Sequence, residues 1–322
     1  MAPRPIWRRS SYLPILPSAL IPQADLSLKL LIALGAIVLA ACARPLAPGE
    51  HPLVGRIWYV RAERFVSAEE LFSRAARARH VILGETHDNP EHHRLQRVVL
   101  DALATRGDKR LLAMEQFDSG YQAAIDAARA AGANAERIAD AGHFDRQGWN
   151  WPFYRPLVQF ALEHGWPLVA ANLSRDAARA VVADPARSDL PPAPPSVTRA
   201  LERDIIDGHC GVAPDAQRLA GMVEAQRARD ARMASVLRLP SVLIAGAGHA
   251  RRDRGVPLYL GDADMLSIAF IEAEPGKAPQ EYTEPASFDY VWFTLPAARA
   301  DPCAGQPRPS RSSSIFGSIG LT

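Results

Sequence analysis

Two short apolar runs in this chain end in the same pattern, Gly-x-x-His. Val81–Leu83 leads into Gly84–His87, and Val242–Ala245 leads into Gly246–His249. A short β-branched run that stops at glycine is typical of a buried strand, because glycine lets the backbone turn sharply at the strand's carboxyl end. Ligands bind at that end in open α/β sheets, so two strands that each deliver a histidine there predict one shared site. The alternative is two strand-to-loop corners with incidental histidines.

Strand-like and helix-like segments alternate along most of the chain. The predicted strands are His80–Gly84, Leu111–Glu115, Leu168–Asn172, Val242–Gly246, Ser267–Glu272 and Tyr290–Leu295. Such alternation predicts an α/β fold with a largely parallel central sheet and helices on both faces. The last two strands have no clear helix between them, which is compatible with an antiparallel edge pair.

A helical insert is predicted at about residues 175–238, where the chain has no strand pattern. The longest helical pattern in it carries one stripe of residues at spacings of three and four: Leu219, Met222, Gln226, Asp230, Met233 and Leu237. Burying the two polar members without partners costs roughly 1–3 kcal/mol each. We therefore expect Gln226 and Asp230 to face the cleft, either in ligand contact or in a structural hydrogen-bond network that closes the insert onto the sheet.

The amino-terminal segment resembles a lipoprotein leader. Basic residues precede the apolar run Leu30–Ala41, which is too short for a relaxed membrane span, and the run ends in Leu39-Ala40-Ala41-Cys42, similar to a bacterial lipobox. We predict a signal peptide at 1–41, lipidation of Cys42 and a tether at 42–52, with the protein anchored in the cell envelope, at the outer membrane facing the periplasm or the surface. An ordinary cleavage site or an uncleaved anchor is the alternative.

Charge and cysteine content exclude some classes of protein. The formal charge of +2 falls to −1 when the four basic residues and one acidic residue of 1–41 are removed, so nucleic-acid binding has no electrostatic support. Cys210 and Cys303 remain as a pair for which a disulfide is permitted in an oxidising compartment. The body is assigned to 53–301, and the tail at 302–322, rich in Ser, Pro, Gly and Arg, is predicted to be disordered.

Acidic and imidazole side chains cluster at the predicted strand ends. Glu85, His87, Glu115 and His249 share one edge, and like charges crowded there repel unless a cation or protons are shared, which suits a divalent metal with nitrogen and oxygen ligands. Other candidate ligand-binding residues lie on the following helix, at strand ends or in the insert: Asp88, His92, His93, Gln96, Asn172, Arg175 and His209. Of the remaining histidines, His143 and His164 lack a second ligand at close spacing.

An aromatic cluster precedes the third long strand. Trp149, Trp151, Phe153 and Tyr154 at this density are typical of core. The competing interpretation is a wall for a flat ligand such as a porphyrin, with Tyr154 as an oxygen ligand to ferric iron.

These motifs resemble the ChaN family of haem-binding, iron-related bacterial lipoproteins, within the Tiki and erythromycin-esterase-like superfamily. The resemblance rests on an ordered set of motifs spread over about His80–Leu260: Gly84-Glu85-Thr86-His87-Asp88-Asn89-Pro90 with His92, His93 and Gln96; Asn172; Gln226-x-x-x-Asp230-x-x-Met233-Ala234; and Ala245-Gly246-Ala247-Gly248-His249 with Gly255-Val256-Pro257.

The resemblance implies an α/β body with a helical subdomain, haem as ligand and a role in haem and iron uptake. It also implies an alternative, a divalent-metal-dependent hydrolase of the Tiki-protease or esterase kind, in which Glu85, His87, Glu115 and His249 would be catalytic and hold the metal. A third hypothesis is an envelope interaction module whose polar network is only structural. A homodimer is a further candidate assembly.

Overall fold

The computed structural model describes residues 51–107, 109–261, 263–283 and 287–304. The predicted signal peptide, Cys42 and most of the tether lie outside the described residues, as does the tail beyond Ala304. Among the described residues, no helix has the length and apolar character needed to cross a membrane.

One eight-stranded sheet organises the described chain. Its strands are β1 (Ile57–Tyr59), β2 (Arg64–Val66), β3 (His80–Glu85), β4 (Leu111–Asp118), β5 (Leu168–Asn172), β6 (Ser241–Gly246), β7 (Met265–Glu272) and β8 (Tyr290–Thr294). They are ordered β2-β1-β8-β7-β3-β6-β4-β5. The six strands from β3 to β8 run parallel to their neighbours among themselves, whereas β1 is antiparallel to both β2 and β8. The predicted α/β class with a largely parallel sheet is confirmed.

The prediction that the last two strands, β7 and β8, form an antiparallel edge pair is wrong. β7 and β8 are parallel, with Ile268 opposite Tyr290, and neither is an edge strand. A parallel connection needs a crossover of a dozen or more residues. The segment 273–289 is long enough to supply it, although its only described helical element is a 3₁₀ turn at Pro279–Tyr282. The short strands β1 and β2, three residues each, carried too little pattern to be predicted.

Helices cover both faces of the sheet. They are α1 (Ala68–Arg77), α2 (Pro90–Thr105), α3 (Gln122–Ala130), α4 (Ala135–Ala141), α5 (Trp151–Glu163), α6 (Arg175–Ala183), α7 (Pro195–Gly208), α8 (Ala216–Val236), α9 (Ala247–Ala250) and α10 (Pro257–Leu260). Side chains of β3 alternate between two cores: Val81 and Leu83 lie in one, and Ile82 lies in the other. A strand buried on both sides has the continuous apolar sequence that marked β3 and β6.

The insert consists of α6, α7 and α8. It has its own small apolar cluster, in which Val197, Leu201 and Ile205 of α7 pack against Met222 and Val223 of α8. A disulfide joins Cys210, just after α7, to Cys303, so Cys303 is fixed at the start of the segment that was expected to be disordered.

The centre of the sheet brings the two Gly-x-x-His motifs together. β3 and β6 are neighbours, and their register places Glu85 opposite Gly246. β4 lies on the other side of β6 and carries Glu115. All three strands are parallel, so their carboxyl ends share one edge.

Candidate functional site

Close contacts require glycine at Gly84, the residue before the last in β3, and at Gly246, the last residue of β6. A Cβ atom on Gly246 would lie 3.0 Å from both Cε1 and Nε2 of His87, and a Cβ on Gly84 would lie 2.6 Å from Cβ of Ala250. Each motif therefore packs against the other, and the imidazole of His87 lies over the end of β6. The repeated glycine thus serves the close approach of neighbouring backbones.

Glu85 is the centre of a buried hydrogen-bond network. Its Oε1 accepts hydrogen bonds from Tyr154 Oη at 2.6 Å and from His87 Nδ1 at 2.9 Å, while Oε2 accepts one from Gln96 Nε2 at 2.8 Å. His93 Nδ1 lies 2.9 Å from Oε2 as an ion-pair contact, without the angle of a hydrogen bond. Burial opposes the charge on Glu85, but the two histidines outweigh it and lower the pKa of the carboxyl.

A second acid–imidazole cluster lies beside it. His249 is held between two carboxylates: its Nδ1 donates to Asp230 Oδ1 at 2.6 Å, and its Nε2 lies 3.3 Å from Glu115 Oε1. Glu115 Oε2 also accepts a hydrogen bond from the backbone N–H of Gly246 at 2.8 Å. Burial disfavours the imidazolium, but Glu115 and Asp230 more than offset it and raise the pKa of His249 to about 10. The cluster therefore holds a fixed cation.

The structure brings Glu85, His87, Glu115 and His249 to one edge of the sheet, yet gives no support to a divalent metal there. Among the described residues, no group of three or more His, Cys, Asp and Glu side chains is arranged to hold a metal ion. The donor atoms are instead engaged in the two clusters just described. Sharing protons and imidazolium charge relieves the like-charge crowding that suggested a metal.

Two residues predicted to bind a ligand, Tyr154 and His92, are buried and hydrogen-bonded within the protein. Tyr154 is fully buried and its hydroxyl is engaged by Glu85, so it does not face an open slot for a ligand iron. His92 is also buried: its Nδ1 accepts from the backbone N–H of Thr86 at 2.8 Å, and its Nε2 donates to Thr294 Oγ1 at 2.9 Å. Helical periodicity placed His92 correctly above an apolar stripe, but the space there is filled by β8.

Other predicted ligand residues also take structural positions. Gln96 and His93 support Glu85, and His93 Nε2 donates to the carbonyl of His87 at 3.0 Å. Asp88 lies at the surface in an ion pair with Arg299, at 2.7 Å between Oδ2 and Nε. Asp88 does not line the groove described below, so its contact with a ligand stays a prediction.

An open groove adjoins the two clusters. It has a cavity volume of about 680 Å³, within the range of small-molecule sites, and Glu115, Trp149, Asn172 and Arg175 are among the residues lining it. Trp149 meets the ring of His87 edge-on at 4.5 Å between centroids, so His87, with 22 % of its side chain exposed, lies at the boundary between the cluster and the groove. The Oδ1 of Asn172 is buried without a hydrogen-bond partner.

The sequence patterns did not identify two residues of the groove, Tyr121 and His143, as candidates. Tyr121 and His143 both line it, and their rings stack at 4.1 Å between centroids. His143 was set aside because no second ligand is close to it in sequence. Its ring partner, Tyr121, is 22 residues away in sequence, and the fold brings the two rings together. Tyr121 follows the carboxyl end of β4, so strand-end reasoning would have found it if β4 had been extended from Glu115 to Asp118.

Of the residues that the insert was predicted to place in the cleft, Asp230 reaches the acid–imidazole clusters, whereas Gln226 and His209 do not. Asp230 of α8 reaches His249, as the helical stripe predicted. Gln226, one turn earlier, instead lines a separate pocket between α6, α7 and α8, and His209 lines the same pocket. These two predicted cleft residues therefore face the insert and not the groove.

A family model described as haem-binding uptake, Tiki superfamily, ChaN matches residues 71–260, more than half of the chain. The chain belongs to the ChaN family. The match covers both Gly-x-x-His motifs, the groove and most of the insert.

One solved structure with a TM-score above 0.5 supports the fold, and others match more weakly. A structure of cofacial haem binding to ChaN of Campylobacter jejuni matches with a TM-score of 0.64 and 22 % identity, covering 76 % of this chain and 98 % of that one. An erythromycin esterase mutant in its open conformation matches at a TM-score of 0.39 and 15 % identity, covering 76 % and 84 %. The type III effector HopBA1 matches at 0.40 and 18 %, covering 70 % and 91 %. A search of curated proteins found no match.

Proposed function

We propose that this chain is a lipid-anchored protein of the cell envelope that binds haem in the groove and serves haem and iron uptake. Membership of the ChaN family supports haem as the ligand. The observation that carries the proposal for this chain is the pair of unpartnered donors, Tyr121 and His143, facing the same groove.

The donor chemistry of the groove suits haem. Phenolate and imidazole are both axial ligands of haem iron, and the side chains of Tyr121 and His143 make no hydrogen bond in the described structure. Tyr121 is 36 % exposed, so its hydroxyl is accessible, unlike that of Tyr154. Trp149 adds an apolar ring surface, and Arg175, which is ion-paired with Asp145, lines the same groove. Bound haem would supply an iron centre for transport or release.

Haemin titration tests the proposal. The purified protein is expected to give a saturable Soret shift, and His143→Ala should weaken binding or change the Soret position, because it removes an iron donor. His164→Ala is a matched control, since His164 lies on the far side of α5 against Phe160 and does not line the groove. Absence of a saturable shift in the wild-type protein would overturn haem binding.

The lipid anchor is tested separately. Cys42→Ala should release the protein from the membrane fraction, because the acylated cysteine is the proposed anchor. If the variant stays as firmly membrane-bound as the wild type, lipidation at Cys42 is wrong. Haem binding of the soluble form is expected to be unchanged.

A second candidate, hydrolysis, is favoured by the geometry at His87. Glu85 holds His87 through Nδ1 and leaves Nε2 free to take a proton from water at the boundary of the groove, which is the arrangement of a general base with its orienting carboxylate. In the metal-dependent form of this hypothesis Glu85, His87, Glu115 and His249 would hold the metal. In the described clusters the same side chains are placed for acid–base chemistry.

Ester hydrolysis with and without chelator decides the second candidate. A chelator-insensitive activity that is lost in His87→Gln and kept in His164→Gln would support it. Chelator-sensitive activity would restore the metal-dependent hypothesis. No hydrolysis above the buffer rate would leave haem binding as the sole candidate.

A further inference from the structure

The pocket between the three helices of the insert has the composition of a small-molecule site. Its cavity volume is about 150 Å³, and its walls are largely apolar, from Ala178, Val182, Ile205, Met222 and Ala225. An apolar cavity of that volume accepts a group as large as benzene. The pocket is separate from the groove, although Arg175 and Arg229 border both.

The helices around this pocket are tightly packed, so the space is not the result of loose association. A Cβ atom on Gly221 of α8 would lie 2.1 Å from the carbonyl oxygen of Val182 on α6. The two backbones are thus in direct contact at one end of the pocket. Protein interiors in which helices pack this closely rarely contain an unfilled cavity of this volume.

Two polar side chains of α8 line the pocket without partners. Gln226 is only 9 % exposed, and its amide makes no hydrogen bond to any described residue. Arg229, three residues later and therefore on the same helical face, has no carboxylate within ion-pairing distance in the described chain. Burial lowers the pKa of Arg229, which reflects a cation with little solvent around it. A buried amide is normally hydrogen-bonded, so Gln226 indicates a missing partner in the pocket. Arg229 is partly buried and lies on the pocket wall as a guanidinium without an ion-pair partner among the described residues.

The charges around the pocket favour an anion. Arg175, Arg179 and Arg229 line it, together with one carboxylate, that of Asp204. Arg175 is paired with Asp145 and Arg179 lies 3.7 Å from Asp176, so Arg229 is the guanidinium of the described lining without an ion-pair partner. Asp204 is already held by Arg254 through two hydrogen bonds, at 2.6 and 2.9 Å. A carboxylate is the smallest organic anion that can accept from a guanidinium and an amide together.

We propose that the insert binds a small carboxylate attached to an apolar group about the size of a benzene ring. The carboxylate is held by Arg229 and Gln226, and the apolar group lies against Met222, Ile205 and Ala225. This site does not depend on haem binding in the groove.

Calorimetric titration of the purified full-length protein with three probes tests the proposal. Benzoate should bind with saturation at one site per chain. Benzamide, which keeps the ring without the charge, and acetate, which keeps the charge without the ring, should each bind roughly tenfold more weakly or worse, since each loses one half of the recognition. Equal affinity for benzoate and benzamide, or no saturable binding of benzoate, would overturn the carboxylate site.

Paired variants on α8 locate the site. Ala225→Leu should fill the cavity and abolish benzoate binding, whereas Ala220→Leu at an exposed position of the same helix should leave it unchanged. Arg229→Gln should weaken benzoate roughly tenfold, with Arg218→Gln as its control. Ala225→Leu fills the cavity, whereas Arg229→Gln removes the cation, so the two variants test the site independently. If circular dichroism shows that one of them is misfolded, the other still tests the proposal. Unchanged benzoate affinity in the folded variant would place the probe elsewhere.

Haemin titration of Ala225→Leu separates the pocket from the groove. We expect unchanged haem affinity. If haem and benzoate binding fall together, the pocket is part of the haem site and the proposal of an independent ligand is wrong.

Discussion

The two acid–imidazole clusters and the groove beside them are built in opposite ways. Around Glu85 and His249, donors and acceptors face one another, and the side chains are buried. In the groove, Tyr121 and His143 offer donors that no described residue uses. The first region resembles a largely satisfied polar core, in which His93 Nδ1 and Gln96 Oε1 are among the exceptions, and the second resembles a surface that awaits a ligand. Sequence motifs marked the first region, whereas Tyr121 and His143 of the second belong to no motif.

The largest expected effect is the loss of the central carboxylate of the buried cluster. Glu85→Gln replaces a charge that five side chains surround, so we expect the free energy of unfolding to fall by about 3–5 kcal/mol. Glu91→Gln, which removes an exposed ion-pair carboxylate on α2, should change it by about 0.5 kcal/mol or less. Urea denaturation measures both. Similar small effects for the two variants would mean that the cluster is not the satisfied core that its contacts indicate.

Acid should weaken the same region through His92. Burial lowers the pKa of His92 from 6.5 to about 3. As the pH falls below about 6.5, the unfolded chain takes up a proton that the folded chain refuses, so stability is lost progressively down to about pH 3. The loss at pH 5 should be roughly 2 kcal/mol. His92→Gln should remove this part of the pH dependence, and identical pH profiles for variant and wild type would contradict the assignment.

The close approach of the two motifs can be tested with a matched pair of glycines. Gly246→Ala places a methyl group 3.0 Å from the ring of His87 and should cost about 1–3 kcal/mol in thermal unfolding, because the ring must move. Gly248→Ala, where nothing lies within 4 Å, should be neutral or stabilising by about 0.4–1 kcal/mol. Equal changes in stability for the two variants would show that a methyl group fits at the end of β6 without moving the ring of His87.

The smallest effect on stability is expected in the groove, together with a change in ligand spectrum. Tyr121→Phe removes a hydroxyl that no described residue uses, so the free energy of unfolding should change by about 0.5 kcal/mol or less. The Soret band of the haem complex should nevertheless shift, and Tyr59→Phe on β1 is the control. A large loss of stability in Tyr121→Phe would place this hydroxyl in the structural network and erase the contrast between the regions.

Sequence patterns predicted the sheet interior better than the groove. Runs such as Val81–Leu83 identify strands because burial on both faces demands continuous apolar residues. Their register then brings Glu85, His87 and His249 together without further information. Tyr121 and His143 could not be found this way, since their proximity depends on the packing of α3 and α4 after β4.

The surroundings of the predicted ligand residues could not be read from sequence for a related reason. Periodicity places His92 and Asp88 relative to their own helix, but it does not say which neighbouring element occupies the space in front of them. β8 and Arg299 do so, and both are distant in sequence. The parallel pairing of β8 escaped prediction in the same way, because the crossover before it has little helical pattern.

The disulfide between Cys210 and Cys303 closes a covalent ring of chain that contains β6, β7 and β8. With a sequence separation of 93 between the two cysteines, the ring restricts the unfolded chain by an amount worth roughly 4–5 kcal/mol in the chain-entropy model. Cys303 follows the last strand, so the ring can close only after the whole sheet has been synthesised. Oxidation is therefore a late maturation step, and the same polypeptide kept in a reducing environment would lack a large fraction of the stability of its mature form.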